Sequence, residues 1–279
     1  MTRPTLFLCW IVPVFFLSAC ATTPDHAGSS SDTTPGYKGP FTRPLSDTPP
    51  ASEAEAKARV HTELGQQYFF GRGQTDIALD AARTALKIKP GYPPAHHLIG
   101  LIYMELKQSA EADNAFRRAL SGAPGDPDFN NSYGWFLCPQ KRVPEAMSRF
   151  ATSAANPYYP HKARPHTNAG LCLLENNELE RAEAQFYKAL EANPSRSEEE
   201  EALYRLAEVS YRRGNYQSTH KLLIRYHQHF DPGARSAWLG LRAARRLGES
   251  RFEASYAEQL RSRFADSREN ALMMQGKYE

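Results

Sequence analysis

"NAGLCLLENNELERAEAQFYKALEANP", Asn168 to Pro194, carries the pattern that organises the whole chain. A small pair, Ala169-Gly170, sits among larger residues, and a second set of small and large residues follows at Ala182, Phe186 and Ala189. Positions 182, 186 and 189 fall on one face of a helix. Glycine inside a helix costs about 1 kcal/mol relative to alanine, so it needs a packing reason. Here the small residue marks where a first helix lets a second approach closely. Pro194 cannot continue a helix and closes the unit. The stretch reads as helix, turn, helix.

The same spacing recurs through most of the sequence. Leu64-Gly65, Ile99-Gly100, Tyr133-Gly134, Ala169-Gly170, Leu206-Ala207 and Leu239-Gly240 follow one another at intervals of 35, 34, 36, 37 and 33 residues. Matching small and aromatic positions lie downstream, and Pro90, Pro124, Pro157 and Pro194 close four of the units. The pattern resembles the tetratricopeptide repeat, a helix–turn–helix of about 34 residues. It predicts an all-α fold, a solenoid of six repeats near residues 58–91, 93–126, 127–160, 163–196, 200–232 and 233–268, within a body spanning 51–270 and followed by a tail at 271–279. Such repeats stack into a right-handed superhelix with a concave groove lined by the first (A) helix of each unit. Gly214 in "YRRGNY" (211–216) is placed in a turn where glycine takes the left-handed conformation cheaply. Repeat architecture alone does not assign function.

The amino terminus points to a compartment. "MTRPTLFLCWIVPVFFLSAC" has Arg3, an apolar run from Leu6 to Leu17, and then Leu17-Ser18-Ala19-Cys20. The run is shorter than the ~20 residues a membrane-spanning helix needs and suits a signal peptide. Its end resembles the lipobox of bacterial lipoproteins, in which the cysteine is acylated after the preceding peptide is removed. That reading makes residues 1–19 a signal peptide and Cys20 the lipid anchor. Ala21 in place of Asp resembles lipoproteins sent on to the outer membrane, on its periplasmic face. Residues 20–50, rich in Thr, Ser, Pro, Gly and Asp, cannot bury enough apolar surface to order themselves and are expected to be a flexible tether.

Catalytic and metal chemistry find little support. Among nine histidines, His96-His97 and the pair His227/His229 diverge around a helix and cannot chelate together. There is no HExxH, CxxC or phosphate-loop pattern. No enzyme activity, metal, cofactor or small-molecule substrate is expected. A net charge of +3 in 279 residues does not argue for nucleic acid. "SRSEEEEAL" (195–203) reads as a helix start, where acids favour the positive end of the helix dipole. The arginines at 235, 242, 245, 246, 251, 261 and 263 make the last repeat basic, as a solvated cap or as a face for an acidic partner or anionic headgroups.

The expected groove carries Phe69, His97, Leu101, Met104, Asn131, Trp135, Leu171, Tyr204 and Tyr211. This row is more apolar and aromatic than a solvated wall and suits a peptide or partner helix. Asn131, Asn168 and Arg164 alone hint at a carboxylate clamp.

"NNSYGWFLC" (130–138), "NPYYP" (156–160), "NAGLC" (168–172), "YRRGNY" (211–216) and "LRSRFADSRE" (260–269) together resemble the type IV pilus biogenesis lipoproteins of the PilF/PilW family, from about residue 58 to 270. The resemblance implies an outer-membrane pilotin that binds secretin subunits, promotes their localisation and assembly, and uses its first repeats, here 58–126, for that contact. The alternative is a lipoprotein adaptor for a cell-wall enzyme or outer-membrane assembly machinery. The remaining cysteines, Cys138 and Cys172, fall on neighbouring A helices at nearly the same height, so a disulfide between repeats three and four is expected, holding Trp135 toward the groove. Two departures stand out: Pro139 and Pro144 stiffen the turn of repeat three, and "FFGRGQTDIALD" (69–80) has one extra residue before its second helix.

Overall fold

A computed structural model describes residues 43–278. The expected signal peptide, Cys20 and the tether up to residue 42 lie outside the described residues. The described part is helical, with twelve helices pairing in chain order and a thirteenth after them. The A helices are α1 (Glu53–Gln66), α3 (Pro93–Glu105), α5 (Pro127–Leu137), α7 (Ala163–Glu175), α9 (Arg196–Arg212) and α11 (Ala234–Leu247). Their B partners are α2 (Thr75–Ile88), α4 (Ser109–Gly122), α6 (Val143–Ala155), α8 (Leu179–Glu191), α10 (Tyr216–His229) and α12 (Ser250–Arg263). Each A helix packs on its own B helix, each B helix on the next A, and successive A helices touch one another. This is the nearest-neighbour stacking of a helix–turn–helix solenoid. The first and fifth repeats begin a turn earlier than their spacing predicts. At α9 a capping box explains the extension: Ser195 and Glu198 satisfy each other's backbone N–H groups.

The recurring small residue has a specific partner. The position of a Cβ at Gly100 is 2.8 Å from the Phe116 ring, at Gly134 2.8 Å from Phe150, at Gly170 2.6 Å from Phe186 and at Gly240 2.4 Å from Tyr256. In each case the aromatic lies sixteen residues downstream on the B helix and covers the bare backbone. Phe116, Phe150 and Phe186 are almost wholly buried. Burying such a ring is worth about 1.5–3 kcal/mol, so each repeat has a small core of its own. The one exception with glycine is Gly65, where Leu98 of the next repeat fills the space at 2.8 Å.

The A-to-B turns share a second regularity. Gly73, Lys107, Lys141, Asn177, Gly214 and Gly248 all have positive φ, between 57° and 75°. In five of the six turns the following residue donates its N–H to the carbonyl five positions back, as in Gln108 to Tyr103 and Arg142 to Leu137, both closing the helix C-terminus. The left-handed conformation disfavours a residue with a Cβ by roughly 1 kcal/mol. Lys107→Gly and Lys141→Gly are therefore each expected to raise stability by up to about 1 kcal/mol, read as a higher urea midpoint at unchanged slope.

Repeat one departs for the reason its extra residue suggests. α1 runs into a π turn, Gln67–Gly71, and its closing bond spans six positions, Gln74 N–H to Tyr68 O. An inserted residue absorbed as a π turn rotates everything after it.

Both ends are packed further than composition suggests. Residues 43–50, expected to belong to the tether, join the body: Pro44 is buried, Leu45 packs on the core of repeats two and three, and Leu45–Asp47 forms a 3-10 turn. The expected tail contains a helix, α13 (Arg268–Met274), whose Met273 is buried against α11 and α12. Beyond it Tyr278 stacks on Trp238, with ring centroids 5.7 Å apart. The last repeat is thus covered by a short helix and one aromatic residue.

Candidate docking groove

The A-helix face of repeats one to three encloses a cavity of about 420 Å³. α1 contributes Arg59, Thr62 and Gln66, the π turn contributes Phe70, and α3 contributes His97 and Leu101. α5 closes it with Phe129, Asn131 and Ser132, and Arg164 of α7 stands at its far end. The wall is mixed: Phe70, Leu101 and Phe129 supply apolar surface, and Arg59, Glu63, Asp126, Asp128 and Arg164 supply charges of both signs.

The strap formed by residues 43–48 crosses this cavity, held at three points. Asp126, the buried N-cap of α5, accepts the Phe129 N–H at 3.1 Å and the Leu45 N–H at 2.9 Å. Arg59 donates to the Leu45 carbonyl at 3.1 Å and also to the carbonyl of Thr48. Arg43 lies 5.4 Å over the Tyr158 ring, beyond α6. The backbone of the 3-10 turn at Leu45 thus has its donor held by Asp126 and its acceptor held by Arg59. Burial pushes the Asp126 carboxyl up to about 6 although the two N–H groups oppose this. The signal for Asp126 was present in the sequence: Asp followed by Pro at the first helical position marks a helix start.

His97 is buried, stacked on Phe129 with centroids 4.6 Å apart, and its Nε2 has no hydrogen-bond partner. Burial lowers its pKa to about 4. A histidine held below its ordinary value stabilises the fold fully above pH 6.5, and that contribution is lost as pH falls toward 4. At about 1.4 kcal/mol per unit the loss is about 3 kcal/mol. Asp126 works in the opposite direction over pH 4–6, since its raised pKa favours the fold at the acid end. His97→Leu is therefore expected to make the protein more acid-stable relative to wild type, measured as the urea midpoint at pH 4.5 against pH 7.

The other expected groove residues divide. Asn131 accepts a hydrogen bond from Asn168 Nδ2 at 3.0 Å, so these two polar groups satisfy each other, and Arg164 beside them lies 4.0 Å from Glu198. Phe69 does not face the cavity. The π turn directs it into the core with Leu98 and Ile102, and Phe70, two-thirds exposed, faces the cavity instead. Met104 packs into the core of repeats two and three. Trp135 lies one turn beyond Asn131 on α5, exposed, and lines none of the described cavities. Leu171 lines a shallow pocket beside the start of α9. Tyr204 and Tyr211 belong to a separate site on repeats five and six. Smaller pockets connect it along the A-helix face to the cavity of repeats one to three, through the shared residues Arg164, Glu201 and Tyr204. Cys138, the C-cap of α5, and Cys172 of α7 are joined by a disulfide with Cα atoms 5.7 Å apart, between the two sites.

Tetratricopeptide-repeat families match residues 93–126, 144–197 and 169–218, which are the paired helices described above. The type IV pilus assembly protein PilF of Pseudomonas aeruginosa is 30% identical over 210 residues, covering 75% of this chain and 82% of that protein. The chain belongs to the PilF family of type IV pilus assembly proteins. The match extends to solved structures. The crystal structure of PilW, a widely conserved type IV pilus biogenesis factor, superposes with a TM-score of 0.69 at 29% identity, covering 78% of this chain and 98% of that one. The Pseudomonas aeruginosa PilF structure does so with a TM-score of 0.67 at 27% identity, covering 81% of this chain and all of that one. This PilF-family chain is a tetratricopeptide-repeat protein of type IV pilus biogenesis, a fold that works by binding other proteins.

Proposed function

We propose that this PilF-family protein is a non-enzymatic pilotin. Cys20 is its lipid anchor in the periplasmic leaflet of the outer membrane, the residues after it are a tether, and the solenoid binds a secretin subunit of the pilus. Sorting of the lipoprotein then carries that subunit to its membrane. The observation that supports docking through repeats one to three is the cavity of about 420 Å³, whose wall combines apolar side chains such as Phe70, Leu101 and Phe129 with charged groups. Asp126 and Arg59 hold the backbone N–H and C=O of Leu45 in the strap, contacts that do not depend on the side chain of the segment they hold.

Deletion of the gene with a blot for heat-stable secretin multimers tests the reading: multimers and twitching are both expected to be lost, and persistence of both overturns it. Cys20→Ala is expected to release the protein from the outer-membrane fraction and leave the secretin mislocalised. Normal fractionation of that variant overturns the anchor. Phe70→Asp, at a two-thirds exposed position of the π turn that faces the cavity, should abolish co-purification of the secretin while leaving the melting profile unchanged.

A further inference from the structure

A second cavity, of about 590 Å³, lies between α9 and α11 at the other end of the A-helix face. Its construction differs from the first. Tyr204 and Tyr211 are seven residues apart on α9, and Arg235 and Arg242 are seven apart on α11, so each pair shares a helix face two turns apart. They meet as two rungs. The Arg235 guanidinium lies 4.4 Å from the centre of the Tyr204 ring, and that of Arg242 lies 4.4 Å from the Tyr211 ring and 5.9 Å from Trp238.

The charges are unbalanced. Arg212, Arg235, Arg242 and Arg246 face the cavity against two carboxylates, Glu208 and Glu269. Glu208 is already bridged by Arg205 at 2.8 Å and Arg212 at 3.0 Å. In the neighbouring pocket Glu201 takes Arg205 at 2.6 Å, and Glu200 accepts the Tyr226 hydroxyl at 2.8 Å. Glu200, Glu201 and Glu208 therefore already hold partners on α9 and α10, while Glu269 of α13 stays at the cavity's edge. Among the described residues no carboxylate forms an ion pair with Arg235 or Arg242; Arg242 donates its Nε to the Tyr278 carbonyl at 2.8 Å.

A guanidinium whose flat face rests on a ring still presents its N–H edge, in a fixed plane. That edge matches a carboxylate in a bidentate arrangement. Two such edges on one helix face lie about 10 Å apart, from seven residues at 1.5 Å rise. We propose that repeats five and six form a second docking site, for an acidic protein segment whose carboxylates are about 10 Å apart and engage Arg235 and Arg242. A membrane surface fits less well, because the two arginines are braced inside a concave wall between helices. The proposal stands apart from the pilotin reading, since it concerns the other end of the solenoid and a partner of different chemistry.

The test uses the full chain purified in detergent and a fluorescein-labelled, alanine-based helical peptide with two glutamates seven residues apart. Binding by fluorescence anisotropy is expected to weaken as NaCl rises. The same peptide with glutamine in place of glutamate should bind at least tenfold more weakly, as should the wild-type peptide to the Arg235→Gln/Arg242→Gln variant. Because Arg242 also packs against Trp238, Arg235→Gln alone supplies a milder variant, with at least threefold weaker binding at an unchanged melting profile. Arg225→Gln/Arg251→Gln, at exposed arginines elsewhere, should stay within twofold. Unchanged affinity in Arg235→Gln overturns the proposal, as does an equal loss in the control pair. Displacement of the peptide by dihexanoylphosphatidylglycerol at lower concentration than by the unlabelled peptide overturns it in favour of a lipid headgroup.

Discussion

Phe186→Ala is expected to lower the unfolding free energy by about 3–5 kcal/mol, while Tyr187→Ala, one residue on, changes it by less than about 0.5 kcal/mol. Phe186 is fully buried and Tyr187 is 45% exposed. The contrast tests the packing register of α8 rather than its helicity, which both substitutions leave intact. Gly170 makes the test sharper. A Cβ there would lie 2.6 Å from the Phe186 ring, so Gly170→Ala in wild type forces the ring to move and is expected to cost about 1–3 kcal/mol. In the Phe186→Ala background the ring is gone. The same substitution then gains the usual helix advantage of alanine over glycine, about 1 kcal/mol. A sign reversal in a urea double-mutant cycle is the expected result, and additivity would show that the ring does not lie over Gly170.

That glycine–aromatic rung is also why the fold was legible. A small residue in mid-helix is unfavourable locally, so its recurrence at about 34 residues reports a tertiary contact. The turns were less legible. A search for glycine finds Gly214 but passes over Lys107 and Lys141, which adopt the same left-handed conformation because the flanking helices and the closing hydrogen bonds require it. Tertiary context overrides the local preference there. The site was legible in part. His97, Leu101 and Asn131 follow from helical position, but a period of 3.6 cannot anticipate a π turn, and the one-residue rotation puts Phe70 where Phe69 was expected. Composition also misplaced the strap. Pro44 and Leu45 are too few to form a core, but they complete one that α3 and α5 have already built. Arg235 and Arg242 read as surface charge in one dimension. Their stacking on Tyr204 and Tyr211 depends on α9 and α11 being neighbours, which only the stacking of repeats provides.

Cys138→Ala/Cys172→Ala is expected to lower stability by about 4 kcal/mol, the chain-entropy value for a loop closed across a 34-residue separation. Alanine is preferred to serine because both positions are buried, and an unsatisfied hydroxyl would add its own penalty. The bond joins α5 to α7 and encloses α6, so it restrains two A helices that otherwise communicate largely through the B helix between them. Solenoid stability is a sum of local repeat and interface terms. The loss should therefore be local: amide exchange should accelerate in α5, α6 and α7 while α11 and α12 keep their protection. Reduction by dithiothreitol should reproduce the effect in wild type and do nothing to the double variant. Intact mass of the non-reduced protein, alkylated after unfolding, should show neither cysteine labelled; two labels would mean that the bond does not form. Uniform loss of protection along the solenoid would instead mean that the six repeats unfold as one unit. Because the bond lies between the cavity of repeats one to three and the arginine ladder of repeats five and six, the same measurement decides whether those two sites belong to one cooperative body or to two.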